Sequence, residues 1–343
     1  MVMKYDRVRN RIEMDRKKCT LVIKYKCNSK TRCAMARGFW INFWVPLLMS
    51  LALFTGCGQD EPAQRVDLSR RQSTVVTEEA NVITYAFLPQ YSHTVSYQRH
   101  RLLVEYLRRE TGLNLKQIFP NTFDEHLEMV GQGKIDISYS NPFIYIQMAD
   151  RFGSRAFARA VEVYGKESFR GQIICRADNQ QIQSLADCRG KRWIAVDPGS
   201  AGGFLYPLGH FVENGIKRED FAEIEFAPGP GGKQENVVLA VHAGKYDIGS
   251  IREGTLSVVA NKIDISDIRV LANTRWYPGW VFAAAKRLDA GIVPKIRDAL
   301  CNLDHDDPSH REILEAADMV GIIPAVDHDF DSVRKLSKII ENP

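Results

Sequence analysis

The sequence predicts an α/β protein whose mainly parallel sheets are flanked by helices, preceded by an export signal. Two observations carry the fold class. From Asn81 onward, short apolar runs alternate with segments whose apolar residues recur at helical spacing. Strand-to-helix joins also bear Gly, Ser or Asn, at Tyr139–Pro142, Asp197–Gly203 and Gly229–Glu235. Alternation of this kind is the pattern of α/β layers.

The elements follow in order. Val82–Leu88 reads as the first strand. Val95, Leu102, Leu103, Tyr106 and Leu107 then repeat on one helical face, and Gly112 closes that helix. Thr122 and Glu125 form a capping box for the next helix. Ile135–Ser138 is a strand, and Pro142 opens a helix at its first position. Gln172–Cys175 and Trp193–Val196 are strands, and a helix runs from Gly203. A strand at Glu223–Ala227 and a helix over Glu235–Ala243 come next. Tyr246–Ile251, Ile268–Asn273 and Trp280–Ala285 are further strands. Helices around Val293–Asn302, Ser309–Ala317 and Phe330–Ile340 complete the pattern.

Charge is unevenly spread along the 343 residues. Residues 1–34 hold 11 Lys/Arg against 3 Asp/Glu, a net +8. Given +4 for the whole chain, that +8 and Arg37 leave −5 for everything after Cys57. A mildly acidic body excludes nucleic acid as partner, because phosphate binding needs clustered cations.

Residues 35–57, MARGFWINFWVPLLMSLALFTGC, read as a lipoprotein signal peptide. Arg37 supplies the positive start, Phe39–Phe54 the apolar stretch, and Thr55-Gly56 the small residues before Cys57. Phe54 stands where Leu is usual. The chemistry needs a Cys because its thiol receives the diacylglycerol, so Cys57 is the expected lipidation site and membrane anchor; the alternative is that the apolar stretch stays as an uncleaved membrane anchor. Residues 1–34 lie ahead of this signal, and Met35 is the expected start. The polar stretch over 58–80 reads as a flexible tether.

Cys175 and Cys188 could pair in an oxidising compartment, or remain buried and inert. The His residues are scattered and no CxxC occurs, so neither a metal nor another cofactor is expected. There is no nucleophile elbow and no paired-carboxylate arrangement, and an enzyme is not expected.

Three loops could bind a solute, since α/β ligands sit at strand carboxyl ends near helix N-termini. The first is Asp197-Pro198-Gly199-Ser200-Ala201-Gly202-Gly203, whose N–H groups could cradle an anion with help from the Ser200 hydroxyl. Its glycines could equally serve a tight turn alone. The second, Tyr139-Ser140-Asn141, offers hydroxyl and amide donors. In the third, Glu235 could accept from a ligand or simply complement its own helix start. Arg252 follows a strand end and could contact an anion bidentately or form a surface salt bridge. Trp276 to Trp280 could line a cleft or pack a hinge.

Four pieces then resemble, in order, the periplasmic substrate-binding proteins of phosphate, phosphite and phosphonate ABC transporters. They are GKIDISYSNPFIY, SLADCRGKRWIAVDPGSAGGFLYP, ENVVLAVHAGKYDIG and DDPSHREILEAADMVGIIPAVDHDFDSVRKL. The resemblance covers about residues 81–340. It implies the type II periplasmic binding fold, with lobe I at 81–170 and 270–343, lobe II at 171–269, and a hinge between. It also implies a monomer that closes on a small anionic solute and delivers it to a membrane permease and ATPase. The family's three hydroxyl residues in the phosphonate loop fall at Ser200, Ala201 and Gly202, and a ligand-contacting Tyr falls at Phe123. Glu235 matches an acid that meets the ligand's amino group, and Ser92 a Ser near the first strand end. Tyr91, His93, Arg252 or Tyr277 would have to replace the missing hydroxyls. Sensing on behalf of a membrane kinase or cyclase, and a non-phosphorus ligand, are the alternatives.

Overall fold

The computed structural model describes residues 82–341, apart from Tyr164 and residues 230–232. The expected extension, signal peptide, Cys57 and tether lie outside the described residues.

The first sheet begins with β1 (Ile83–Phe87), whose side chains are buried on both faces except for Thr84. Helix α1 (His93–Thr111) follows, started by the Ser92 hydroxyl accepting from Val95 N–H and ended by Gly112 at φ +67°. Then come β2 (Leu115–Ile118) and α2 (Phe123–Gly131). At its head Thr122 accepts from Glu125 N–H (3.0 Å), while the Glu125 carboxylate reaches back to Asn121 N–H (2.7 Å). That is the expected capping box displaced by one residue. β3 (Ile137–Ser140), α3 (Pro142–Phe152) and β4 (Arg155–Glu162) complete the outgoing half of this lobe.

The chain crosses through β5 (Ser168–Phe169) into β6 (Gly171–Arg176), β7 (Arg192–Ala195), α4 (Tyr206–Glu213) and β8 (Glu223–Phe226). Next are α5 (Lys233–His242), β9 (Ile248–Arg252), α6 (Thr255–Val259) and β10 (Ile268–Asn273). It returns through β11 (Tyr277–Pro278) to β12 (Val281–Ala284) and α7 (Ile292–Cys301). The last elements are α8 (Pro308–Ala316), β13 (Met319–Pro324) and α9 (Asp331–Glu341).

Two sheets result, ordered β13-β4-β12-β3-β1-β2 and β10-β6-β9-β7-β8. They are mixed rather than mainly parallel. β1, β2 and β3 pair in parallel, as do β7, β8 and β9, while β4, β6, β10, β12 and β13 join antiparallel. The physical reason is the crossing. A strand that leaves for the other lobe, or comes back from it, runs against the strands built by β-α-β turns. β10 pairs with β6, so the second sheet extends through Asn273, past the expected boundary at residue 269. β2, β4 and β13 went unforeseen. In β4 the arginines at 155 and 159 interrupt the apolar pattern, and β13 is an edge strand with half its residues only partly buried.

The outgoing and returning crossings pair with each other, Tyr277 opposite Phe169 and Pro278 opposite Ser168. Helix α9 bridges the lobes away from these strands. Arg334 on it meets Asp150 at the end of α3 (3.1 Å), and Gly209 of α4 leaves room for Leu336. A methyl group on Gly209 would stand 2.3 Å from that leucine.

Two histidines are wholly buried in the first lobe. Tyr85 OH lies 2.7 Å from His100 Nδ1, and Ser138 Oγ lies 2.7 Å from His126 Nε2. The other ring nitrogen of each has no partner among the described residues. Burial pushes both rings down to about 3. A base depressed in the folded state stabilises the fold above its ordinary value of 6.5, and loses that contribution as pH falls toward 3. The free energy of unfolding should therefore drop between pH 6.5 and 5 by about 2 kcal/mol for each histidine, and the melting temperature with it. The double variant His100→Gln/His126→Gln should show a flatter profile; an equally steep one would exclude these residues as the cause.

A second prediction concerns the α4 entrance. A Cβ on Gly203 would lie 2.3 Å from Val196 Cγ2 at the end of β7. Gly203→Ala should cost about 1–3 kcal/mol of stability in chemical denaturation, the range for overpacking a tight contact.

Candidate functional site

Strand ends from both sheets supply the walls of a cleft of about 560 Å³. Lobe I contributes Tyr91 beyond β1, Phe123 at the head of α2 and Glu162 at the end of β4. Lobe II contributes Val196 beyond β7, Glu235 in the first turn of α5, and Arg252 at the end of β9. A recess of about 20 Å³ adjoins it, floored by Phe87, Tyr139 and Trp280. These three rings lie 5.3–5.7 Å apart between centroids. Gln90, Tyr91, Glu162, Arg252 and Asp318 line both spaces.

The electrostatics are organised in pairs. The Arg252 guanidinium meets the Glu162 carboxylate, so the last residue of β9 and the last of β4 join the lobes across the cleft. Gln234 fixes Arg252 further by accepting from its N–H (2.9 Å), and the guanidinium lies over Phe169 (5.2 Å). Arg99 bonds Asp318 at 3.2 Å and lies 4.3 Å from the centre of the Tyr91 ring. Asp318 has φ +62°, the left-handed region that Asp tolerates better than most residues. Lys233 bonds Asp197 at 2.5 Å, Lys262 meets Glu235, and Arg170 holds Glu253 at 2.6 Å. An incoming anion must therefore compete with carboxylates already in place.

The loop expected to cradle an anion is closed on itself by its own hydrogen bonds and covered by lobe I. Ser200, Ala201, Gly202 and Gly203 are buried and do not line the cleft. Ser200 Oγ accepts from Gly203 N–H (3.1 Å), and Asp197 takes the N–H groups of Gly199 and Ser200 (2.9 Å each). The helix opens on a wide turn, with Leu205 N–H donating to the Ser200 carbonyl at 2.9 Å. Glycine is required here for close approach: a Cβ on Gly202 would stand 2.9 Å from Phe169 and 3.3 Å from Arg252 Cβ. An Asp at 202 would therefore disrupt packing as well as repel an anion.

Lobe I covers this loop. Asn141 caps α3 by accepting from Phe143 and Ile144 N–H (2.9 and 3.0 Å), and its amide donates to the Gly199 carbonyl (3.1 Å). Ser140 is fully buried, with no partner for its hydroxyl among the described residues. Ser92 is an exposed helix cap and His93 packs on Phe119. Tyr277 stacks on Tyr206 at 4.1 Å, so it packs the crossing and does not line the cleft. Of the expected site residues, the structure thus brings Tyr91, Phe123, Tyr139, Glu235 and Arg252 to the cleft and recess.

Sequence reasoning missed Arg99, Glu162 and Asp318. Glu162 ends a strand that was itself unforeseen, and nothing local singles out Arg99 on its long helix. Cys175 and Cys188 are buried as free thiols in one apolar cluster of lobe II, and burial pushes the Cys188 thiol up to about 12.

Residues 85–330 match the family model for the periplasmic phosphonate substrate-binding protein of ABC transporters. The chain is 24% identical over 284 residues to the phosphate-import protein PhnD of Mycolicibacterium smegmatis, covering 78% of this chain and 88% of that one. Its fold is similar to PhnD1 of Prochlorococcus marinus, solved with methylphosphonate, at TM-score 0.66 and 16% identity. That match spans 77% of this chain and 99% of the other. It is similar also to a binding component of a phosphonate transporter from Pseudomonas aeruginosa, at TM-score 0.65 and 18% identity over 76% and 86% of the two chains. Two lobes of mixed sheet, paired crossings and a cleft at the strand ends agree with a match that spans both lobes: the chain belongs to the periplasmic phosphonate-binding family of ABC transporter components, whose members bind substrate and are not enzymes.

Proposed function

We propose that this chain, acylated at Cys57 and acting as a monomer, captures a phosphonate-type oxyanion in the interlobe cleft and passes it to a membrane permease and ATPase. The observation that carries the site is the Arg252–Glu162 pair, a cation at a strand end held by a carboxylate of the opposite lobe. A phosphonate head would take the place of that carboxylate on the guanidinium, whose paired donors suit two oxygens at once. Gly202 leaves room for the base of the Arg252 side chain. Glu162, once displaced, becomes free for a ligand donor or for water, and this exchange couples occupancy to the spacing of the lobes.

Isothermal titration of the full chain in mild detergent, with methylphosphonate and aminoethylphosphonate, tests the assignment. Arg252→Ala should weaken binding at least 10-fold, since a charge-assisted bidentate contact contributes more than about 1.5 kcal/mol. Binding by the variant at the native affinity would remove Arg252 from the site. The anchor has a separate test: cells fed labelled palmitate should incorporate it into the wild-type protein and not into Cys57→Ser. A wild-type protein without label would refute acylation as the attachment.

A further inference from the structure

The cleft is much larger than a small oxyanion needs. Its volume of about 560 Å³ lies within the roughly 300–1,000 Å³ of clefts that hold whole organic molecules. A tetrahedral oxyanion displaces only a few waters, at about 30 Å³ each.

Beside its charged residues, the main cleft also carries exposed apolar side chains that the recess lacks. Arg252, Glu162 and Tyr91 line both the recess and the main cleft, whereas Val163, Val258 and Trp276 line the main cleft alone. These last three are 40%, 58% and 41% exposed, and they are three of the eight large hydrophobic residues left exposed among the described residues. Scattered apolar residues need no explanation, but several around one concavity mark a surface that binds something. They come from separate segments: the outgoing crossing, helix α6 and the returning crossing. Trp276 is held in place by Lys166 and Arg170, whose charges lie 4.3 and 4.5 Å from its ring centre. Arg170 is fixed in turn by Glu253. The indole is thus presented already ordered, which reduces the entropy lost on binding.

We propose that the ligand is an organophosphonate with a bulky apolar substituent, of phenyl or benzyl size. Its acidic head lies at Arg252 and its apolar body covers Val163, Val258 and Trp276. This rests on the reading of the cleft as a phosphonate site, and goes further by specifying the substituent. Phosphate and methylphosphonate satisfy the head position but leave the apolar wall wet.

Calorimetry on the full chain should compare phosphate, methyl-, propyl-, phenyl- and benzylphosphonate. Affinity should rise along the series, with benzylphosphonate at least 10-fold tighter than methylphosphonate. Val258→Ser, at an exposed position, should narrow that ratio to about 3-fold or less, and Trp276→Ala should act in the same direction. Equal or weaker binding of the aromatic phosphonates would overturn the inference while leaving the phosphonate site standing. An undiminished ratio in both variants would also overturn it, since the preference would then arise elsewhere. Failure of every phosphorus anion to bind would overturn the site reading itself, and this inference with it.

Discussion

The ion pair between Arg252 and Glu162 is the contact on which the arrangement of the cleft depends. Each residue ends its strand, and the strands belong to different sheets, so the pair sets the distance between the lobes at that point. Both side chains are largely shielded from water. A pair in such a place gains Coulomb energy but has lost hydration, and its net contribution to stability is small. Removing only one partner is costly, because the remaining charge is left without compensation. That asymmetry is useful in a binding protein. On the proposed reading, the arginine is satisfied without ligand, and an anion that replaces the carboxylate need only compete for a guanidinium that is already desolvated and oriented.

The lobes are joined at other points as well. Asn141 ties the head of α3 to the Gly199 carbonyl, and α9 packs on both α3 and α4. The crossings β5 and β11 pair directly, which ties the two connections into one ribbon.

The order of elements was legible because periodicity is local. The alternation from Val82 to Ile340 reports burial of each segment, and most predicted helices match within two residues of their ends. Strand direction was not legible in the same way. It depends on which lobe a strand is leaving, and that information lies in pairings such as β10 with β6, far apart in sequence. The site divides along the same line. Arg252 and Glu235 could be found because they follow glycine-rich or strand-end signals. Glu162 is 90 positions from Arg252, and Asp318 is 219 positions from Arg99, and no local pattern joins them. The glycines at 202 and 203 were visible as a requirement, but their physical use is proximity to Phe169 and Val196.

That proximity leaves no room for a side chain at 202, where the sequence resemblance places one of the family's loop hydroxyls. A side chain at 202 would begin 2.9 Å from the Phe169 ring and 3.3 Å from Arg252 Cβ, so a serine there requires β5 or β9 to retreat. A neutral hydrogen bond contributes roughly 1 kcal/mol, whereas a charge-assisted one contributes about 1.5–3 kcal/mol. On the proposed reading, a guanidinium therefore offsets two missing hydroxyls. It does so without the directional fit that three short side chains impose on a small tetrahedral head. Selectivity then has to come from elsewhere in the cleft, and the wall that can supply it is the apolar one formed by Val163, Val258 and Trp276.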